Sequence, residues 1–352
     1  MGKLSLNKTI CIETNTTCQL RCPTCPTTSN GYPPVIGAGY LHFSDFKELI
    51  EKNPWVRTIR IINLGEMFLN PDLGSIIEYA TKRKIKMYCE GGVNLNTAKP
   101  DVLEIMVEGK YFKTLYCSID GASSETYSLY RKGGDFNTVI GNIKTINRLK
   151  KKYHSPYPKL FWQFVVFGHN EHELPVARAL AKALNMEFVP KLSWDSKYSP
   201  IKNYDFVKAN TGWKHVTREE FEKENRKNYV RATCYMLFDN PRINWDGKIL
   251  GCCWNNWGEF GSNAFIEGYD KAINHQNIIY AQGMLLGKFK KRDDIPCSQC
   301  DLYNSMLKTG NFLTIKEIHR QHKLWYRTIR MIYHLIPRSF GSALLSLFKI
   351  KK

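Results

Sequence analysis

Six short apolar runs, set between longer amphipathic stretches, constrain this chain more than anything else in it. Thr9–Glu13, Thr58–Asn63, Lys86–Cys89, Thr114–Ile119, Phe161–Phe167 and Glu187–Leu192 hold the β-branched and aromatic residues typical of strands. Between them, Phe46–Lys52, Asp72–Arg83, Phe136–Lys151 and Leu174–Leu184 repeat apolar residues at helical spacing. Ser44 and Asp72 stand where N-caps are expected, and Gly133-Gly134 interrupts a helix. Strand–helix alternation of this kind predicts an α/β fold with a parallel sheet, a partial, TIM-like (β/α)6 barrel. In such folds the reactive groups gather beyond the carboxyl ends of the strands.

The loop after the first run sits at that place and reads Cys18-Gln-Leu-Arg-Cys22-Pro-Thr-Cys25, a C-x3-C-x2-C triad. A cuboidal [4Fe–4S] cluster takes four ligands, normally thiolates, and this loop supplies three. One iron is left for a ligand that is not protein, and an open metal position is the mark of a reactive site. Two plainer readings stand beside it: half of a zinc site, or coincidence in a chain with eleven cysteines.

Composition narrows the setting. No signal-like segment opens the chain and no run approaches a membrane span, so eleven cysteines point to metal or redox work in a reducing cytoplasm rather than to disulfides. The net charge of +19 is uneven: from residue 306 to 352, ten Lys or Arg face only Glu317. No RNA-binding motif or finger spacing accompanies that charge, so no specific nucleic-acid binding is expected.

Beyond the triad, Leu64-Gly65-Glu66 follows the second strand, and Gly65-Glu66-Met-Phe-Leu-Asn70-Pro71 continues it. Ser118-Ile-Asp120-Gly121 closes the fourth strand and leads to Glu125-Thr-Tyr127 and Arg131-Lys-Gly133-Gly134. Triad and runs together resemble the radical S-adenosylmethionine (SAM) superfamily. The resemblance implies that SAM chelates the open iron and that an electron from the cluster splits its sulfonium. A 5′-deoxyadenosyl radical then abstracts hydrogen from a substrate. It also implies that Gly65 and Glu66 hold the SAM amino group, that Ser118 meets the ribose or carboxylate, and that Arg131 pairs with the carboxylate. Gln163 and the segment Val166–Glu171 resemble the strand beside adenine. Two positions depart from the family: Leu64 replaces the first Gly of a Gly-Gly-Glu-like motif, and Thr24 replaces an aromatic residue that lies against adenine.

A second cysteine group follows: Cys234, then Gly247-Lys-Ile-Leu-Gly-Cys252 with Cys253 adjacent, then Pro296-Cys297-x2-Cys300. This resembles the twitch subdomain, a shorter relative of the SPASM domain, which holds one auxiliary [4Fe–4S] cluster. The resemblance assigns Cys234, Cys252, Cys297 and Cys300 as its ligands and Asn244-Trp-Asp246-Gly247 as its hairpin turn. A structural zinc site is the alternative. Cys11, Cys89 and Cys117 fall in strands and read as core.

The expected organisation is a barrel over 1–195, a linker over 196–230, a cysteine-rich unit over 231–303 and a basic tail over 304–352. Basic and apolar residues interleave in that tail, as in a helix that rests on a membrane surface or on a partner, or that covers the barrel. The function implied is that of a radical SAM oxidoreductase. Its substrate would be a small polar molecule, free or carrier-linked, such as a sugar or cyclitol. The auxiliary cluster would accept an electron, and flavodoxin or ferredoxin would donate one. Lys191 and Glu90 are candidate proton acceptors. A peptide-modifying maturase is the alternative, weakened by the seventeen residues before Cys18, too few for a recognition domain. An iron–sulfur electron carrier or zinc-stabilised binding module is the third reading.

Overall fold

A computed structural model describes residues 8–322 apart from 30, 32 and 63. Residues 323–352, where most of the basic tail falls, lie outside the described residues.

The parallel strands are β1 (Thr9–Glu13), β2 (Thr58–Ile62), β3 (Lys86–Val93), β4 (Phe112–Ser118), β5 (Lys159–Val166) and β6 (Met186–Leu192). Two further strands, β7 (Arg242–Ile243) and β8 (Ile249–Gly251), extend the sheet to the order β6-β5-β4-β3-β2-β1-β7-β8. β7 runs parallel to β1, with Cys11 opposite Arg242, and β8 returns antiparallel to β7. The sheet stays open, with β6 and β8 at its ends.

Alternation decides which face each strand buries. Ile59 and Ile61 of β2, Met87 and Cys89 of β3, and Leu115 and Cys117 of β4 lie in the core. Helices cover them with Ile76 and Ile77, Leu103 and Met106, and Ile143 and Ile146. The other face carries Arg60, Tyr88, Tyr116, Ser118, Gln163 and Lys191 on successive strands. Polar residues at the positions that alternate with the core make a concave chemical surface.

Several boundaries differ from the expectation. β3 continues past Cys89 through a register shift to Val93. Gly92 makes this possible: its φ is +93°, and a Cβ there would lie 2.2 Å from Ser118 Oγ. Ser44 caps nothing, because the helix Phe43–Lys52 begins before it. Asp72 precedes the helix Leu73–Lys82 but makes no cap bond to it. Its Oδ2 instead accepts from Phe43 N at 2.9 Å, satisfying the first turn of the neighbouring helix. The span expected as a linker contains the helices Tyr204–Thr211 and Arg218–Asn225. Among the described residues no helix is long and apolar enough to cross a membrane.

Candidate functional site

The cysteine loop is held against β2 by backbone contact. Glu66 N donates to Thr17 O at 2.8 Å, and Asn15 Nδ2 donates to Glu66 O at 2.9 Å. A Cβ on Gly65 would fall 2.3 Å from Thr17 O, so only glycine lets the Leu64–Glu66 segment lie this close. The far side of the loop is tied by Arg21 N donating to Lys132 O at 2.9 Å.

Each thiol of the triad has a polar side chain beside it. Asn94 Nδ2 lies 3.7 Å from Cys18 Sγ, Arg131 Nη1 lies 3.7 Å from Cys22 Sγ, and Thr27 Oγ1 lies 3.1 Å from Cys25 Sγ. Burial pushes Cys18 up to about 11 and raises Cys22 as well, against the pull of Arg131. Buried thiols with raised pKa values become thiolates when a cation neutralises them.

Glu66 is 1% exposed. Its carboxylate accepts from Asn94 N at 2.6 Å and from Phe68 N at 3.3 Å, while burial raises its pKa from 4.5 to about 7. Arg131 is anchored by Asp120: its Nε donates to Asp120 Oδ2 at 2.6 Å, while Asp120 Oδ1 accepts from Val165 N at 2.7 Å. Asp120 is fully buried, so the pair directs one remaining arm of the guanidinium at Cys22.

Ser118, Gln163 and Lys191 form a line across β4, β5 and β6. Gln163 Nε2 donates to Ser118 Oγ at 3.3 Å, and Lys191 Nζ donates to Gln163 Oε1. Burial lowers the Lys191 pKa. Glu90 lies within β3 rather than after it, and pairs with Arg60 at 2.8 Å in a partly exposed ion pair.

Sequence reasoning had no role for Asn15, Asn94 or Thr27. Asp120 stood in the Ser118–Gly121 run without one. Only Asp120 carried a usable signal, a carboxylate two residues beyond Ser118 at a strand end.

The second cysteine group closes on itself. Cys234, Cys252, Cys297 and Cys300 line one cavity of about 380 Å³, its open mouth included. The rest of its wall is mostly apolar, with Leu237, Leu250, Phe260 and Leu285 among the lining side chains. Burial raises all four thiols, Cys252 to about 11. The backbone N–H groups of Trp254 and Asn255 favour a Cys252 thiolate, and those of Leu302 and Tyr303 favour a Cys300 thiolate. Cys300 precedes the helix Asp301–Thr309, whose first N–H groups carry partial positive charge. Tyr303 Oη lies buried without a hydrogen-bond partner. Cys253 is exposed and is not part of the wall. The four thiols surround a volume, and among the described residues no three His, Cys, Asp or Glu side chains converge to hold a single ion.

A buried ion pair joins the two regions. Glu13, at the end of β1, meets Arg242 of β7 at 3.4 Å, and both side chains are 1% exposed. Arg242 also donates to Asn255 O, and Asn255 lines the cysteine cavity. Burial lifts Glu13 to about 7 despite Arg242.

These features define an open, parallel α/β barrel with cysteines beyond its first strand. No protein-family model matches the sequence, and no curated protein matches it. Solved structures do. Streptococcus suis SuiB bound to S-adenosylmethionine superposes with a TM-score of 0.59 at 15% identity, over 85% of this chain and 72% of that one. SuiB bound to its precursor peptide SuiA gives 0.59 and 15%, over 85% and 70%. The enzyme anSMEcpe with bound AdoMet gives 0.53 at 17% identity, over 84% and 83%. The chain has the fold of the radical SAM enzymes.

Proposed function

We propose that this chain is a radical SAM oxidoreductase acting on a small polar substrate. When bound, a [4Fe–4S] cube with one open iron supplies the electron that splits SAM and yields a hydrogen-abstracting carbon radical. The observation that carries the reading is the pairing of a three-thiol loop with a buried, protonatable carboxylate, Glu66. Cys18, Cys22 and Cys25 would hold the cube. Glu66 and the backbone of Gly65 would receive the SAM ammonium, an anion and an open edge for a cation. Ser118 and Gln163 offer polar groups for ribose and carboxylate, and Arg131 places its positive charge beside Cys22.

Cys234, Cys252, Cys297 and Cys300 would hold a second, closed cube, in a twitch-like unit. The four thiols lining one mostly apolar cavity suit either a cube or a structural zinc ion, and their place after a radical SAM-like barrel favours the cube. A closed cluster suits one-electron transfer, so the net reaction we favour is oxidation, with loss of a proton and an electron beside an alcohol. The polar concave face, with Lys191 and Glu90 on it, suits a sugar or cyclitol, and Lys191 with its lowered pKa is the better proton acceptor. A low-potential iron–sulfur or flavin protein would supply electrons. A peptide substrate is the second reading, favoured by the fold shared with SuiB, which was solved with the peptide SuiA.

Anaerobic reconstitution tests the proposal. About eight irons per chain are expected, two cubes' worth, with 5′-deoxyadenosine formed only when reductant is present. Deuterium transferred from a labelled candidate substrate into 5′-deoxyadenosine identifies the target. Zinc in place of iron, or no cleavage of SAM, would favour a binding module.

A further inference from the structure

We propose that Trp194 forms the stacking face for the adenine of SAM, in place of the aromatic residue that the cysteine loop lacks at Thr24. The inference deepens the SAM-binding reading and rests on it.

Trp194 is 52% exposed, a large apolar side chain left at the carboxyl-end rim just beyond β6. A single exposed ring is ordinary by itself; the attachment of this one to the cysteine loop is what gives it a role. The indole is not loosely placed. Its Nε1–H donates to Thr24 Oγ1 at 3.0 Å, and Thr24 Oγ1 lies 2.8 Å from Tyr130 Oη. The hydroxyl between Cys22 and Cys25 therefore ties an aromatic ring to the position where the sequence lost one.

The segment carrying the ring is braced as well. Ser193 Oγ donates to Asp195 O at 2.9 Å, and Asp195 Oδ1 accepts from Lys197 N at 3.0 Å and Tyr198 N at 3.2 Å. Tyr198 then packs edge-on against Phe167 with ring centroids 5.5 Å apart. A rigid indole binds with little loss of conformational freedom, the general advantage of a preorganised platform.

Neighbouring rings do not compete for the role. Tyr130 is 4% exposed and Phe167 is 1% exposed, and they pack on each other at 4.6 Å. His169 stacks on Phe167 at 5.2 Å and accepts or donates at Ser199 Oγ. Of this aromatic group beside the cysteine loop, Trp194 is the one exposed ring, and Tyr198 is partly buried. A purine is the chemical class that fits, because every base has a π-face and stacking is tolerant of its exact substituents.

The experiment is calorimetric titration of the reconstituted full chain with SAM, comparing wild type, Trp194→Ala and Trp194→Phe. Iron content and the visible absorption of the clusters are measured on the same samples. Trp194→Ala should raise the dissociation constant about tenfold or more, as loss of one stacked base does, with iron content unchanged. Trp194→Phe should recover most of the affinity, since it restores a flat ring without the bond to Thr24. SAM should quench part of the wild-type indole emission, and that part should vanish in Trp194→Phe. An unchanged dissociation constant in Trp194→Ala overturns the proposal. So does weaker binding that comes with lost iron, which would make the indole a prop for the loop. A wild-type protein that takes up its iron yet binds no SAM would instead sink the SAM reading, and this inference with it.

Discussion

Around Cys18, Cys22 and Cys25 the partners of sulfur are chiefly side chains, Asn94, Arg131 and Thr27, with the Leu20 N–H also favouring a Cys18 thiolate. Around Cys252 and Cys300 they are backbone N–H groups, inside a mostly apolar wall. The first arrangement is polar and adjoins the concave face of the barrel. The second is lined by core residues such as Leu237, Leu250 and Leu285. A site meant to admit a charged cofactor needs groups that can exchange protons and partners. A site meant only to pass electrons is better kept dry and rigid, because burial and hydrogen bonds to sulfur set its potential. The difference between the regions is the physical form of the two roles proposed for them.

The sharpest break of this comparison is to disable one cysteine group at a time. Replacing Cys18, Cys22 and Cys25 by Ala should abolish SAM cleavage and lower iron from about eight to about four per chain. Loss of all iron in that variant would mean that the two regions do not act as separate sites. Conversely, Cys297→Ala should halve the iron while SAM cleavage persists, so 5′-deoxyadenosine accumulates without oxidised product. Iron analysis and chromatography of the nucleoside read both outcomes.

A smaller but still large effect is expected at Asp120. Asp120→Asn removes the negative partner of a buried Arg131, and breaking such a pair costs about 3–5 kcal/mol. Urea unfolding should show that loss, while Glu104→Gln, which breaks a pair on the exposed Lys152, should shift the transition far less, because solvent screens an exposed pair.

Glu66 supplies a pH dependence. Its carboxyl is protonated below about 7 in the folded chain and below about 4.5 when unfolded. Between those values the folded form holds the extra proton, so this group's contribution to stability falls as pH rises. In the role proposed for Glu66 the SAM ammonium needs the anion, so SAM affinity should increase as pH rises through about 7. Glu66→Gln should bind more weakly and lose that slope, measurable by titration from acid to mildly alkaline pH.

The smallest effect concerns Tyr303, whose hydroxyl is buried without a partner on the helix that follows Cys300. If it donates to the second cluster it stabilises the reduced, more negative form. Tyr303→Phe should then lower the midpoint potential of that cluster, followed by redox titration with paramagnetic resonance.

Much of the barrel was legible because alternation and strand chemistry are local properties. β1 begins and ends where its sequence pattern does, at Thr9 and Glu13. What local pattern cannot carry is a partner distant in sequence. Asp72 looks like the cap of its own helix, yet it serves Phe43 because the two helices pack side by side. Trp194 follows the last strand with no pattern of its own, and its bond to Thr24 spans 170 positions. The helices Pro100–Glu108 and Ser124–Tyr130 escaped the reading. Both are short, and Ser124–Tyr130 is polar and aromatic rather than cleanly amphipathic. Of the site, the cysteines and Glu66 could be read as spacing. Asn94 and Asn15 could not, because their roles come from tertiary contact with Glu66 rather than from neighbours in the chain.

The join between β1 and β7 has a consequence in time. Glu13 and Arg242 stand 229 positions apart, and a ribosome adds about 5–20 residues each second. For roughly ten to fifty seconds of synthesis, the first strand therefore has an open edge and its terminal carboxylate lacks the guanidinium that neutralises it. An unpaired edge is where nascent chains associate wrongly. The strand that leads into the cysteine loop is made early and completed late, and the residue that completes it belongs to the region around the second cysteine group.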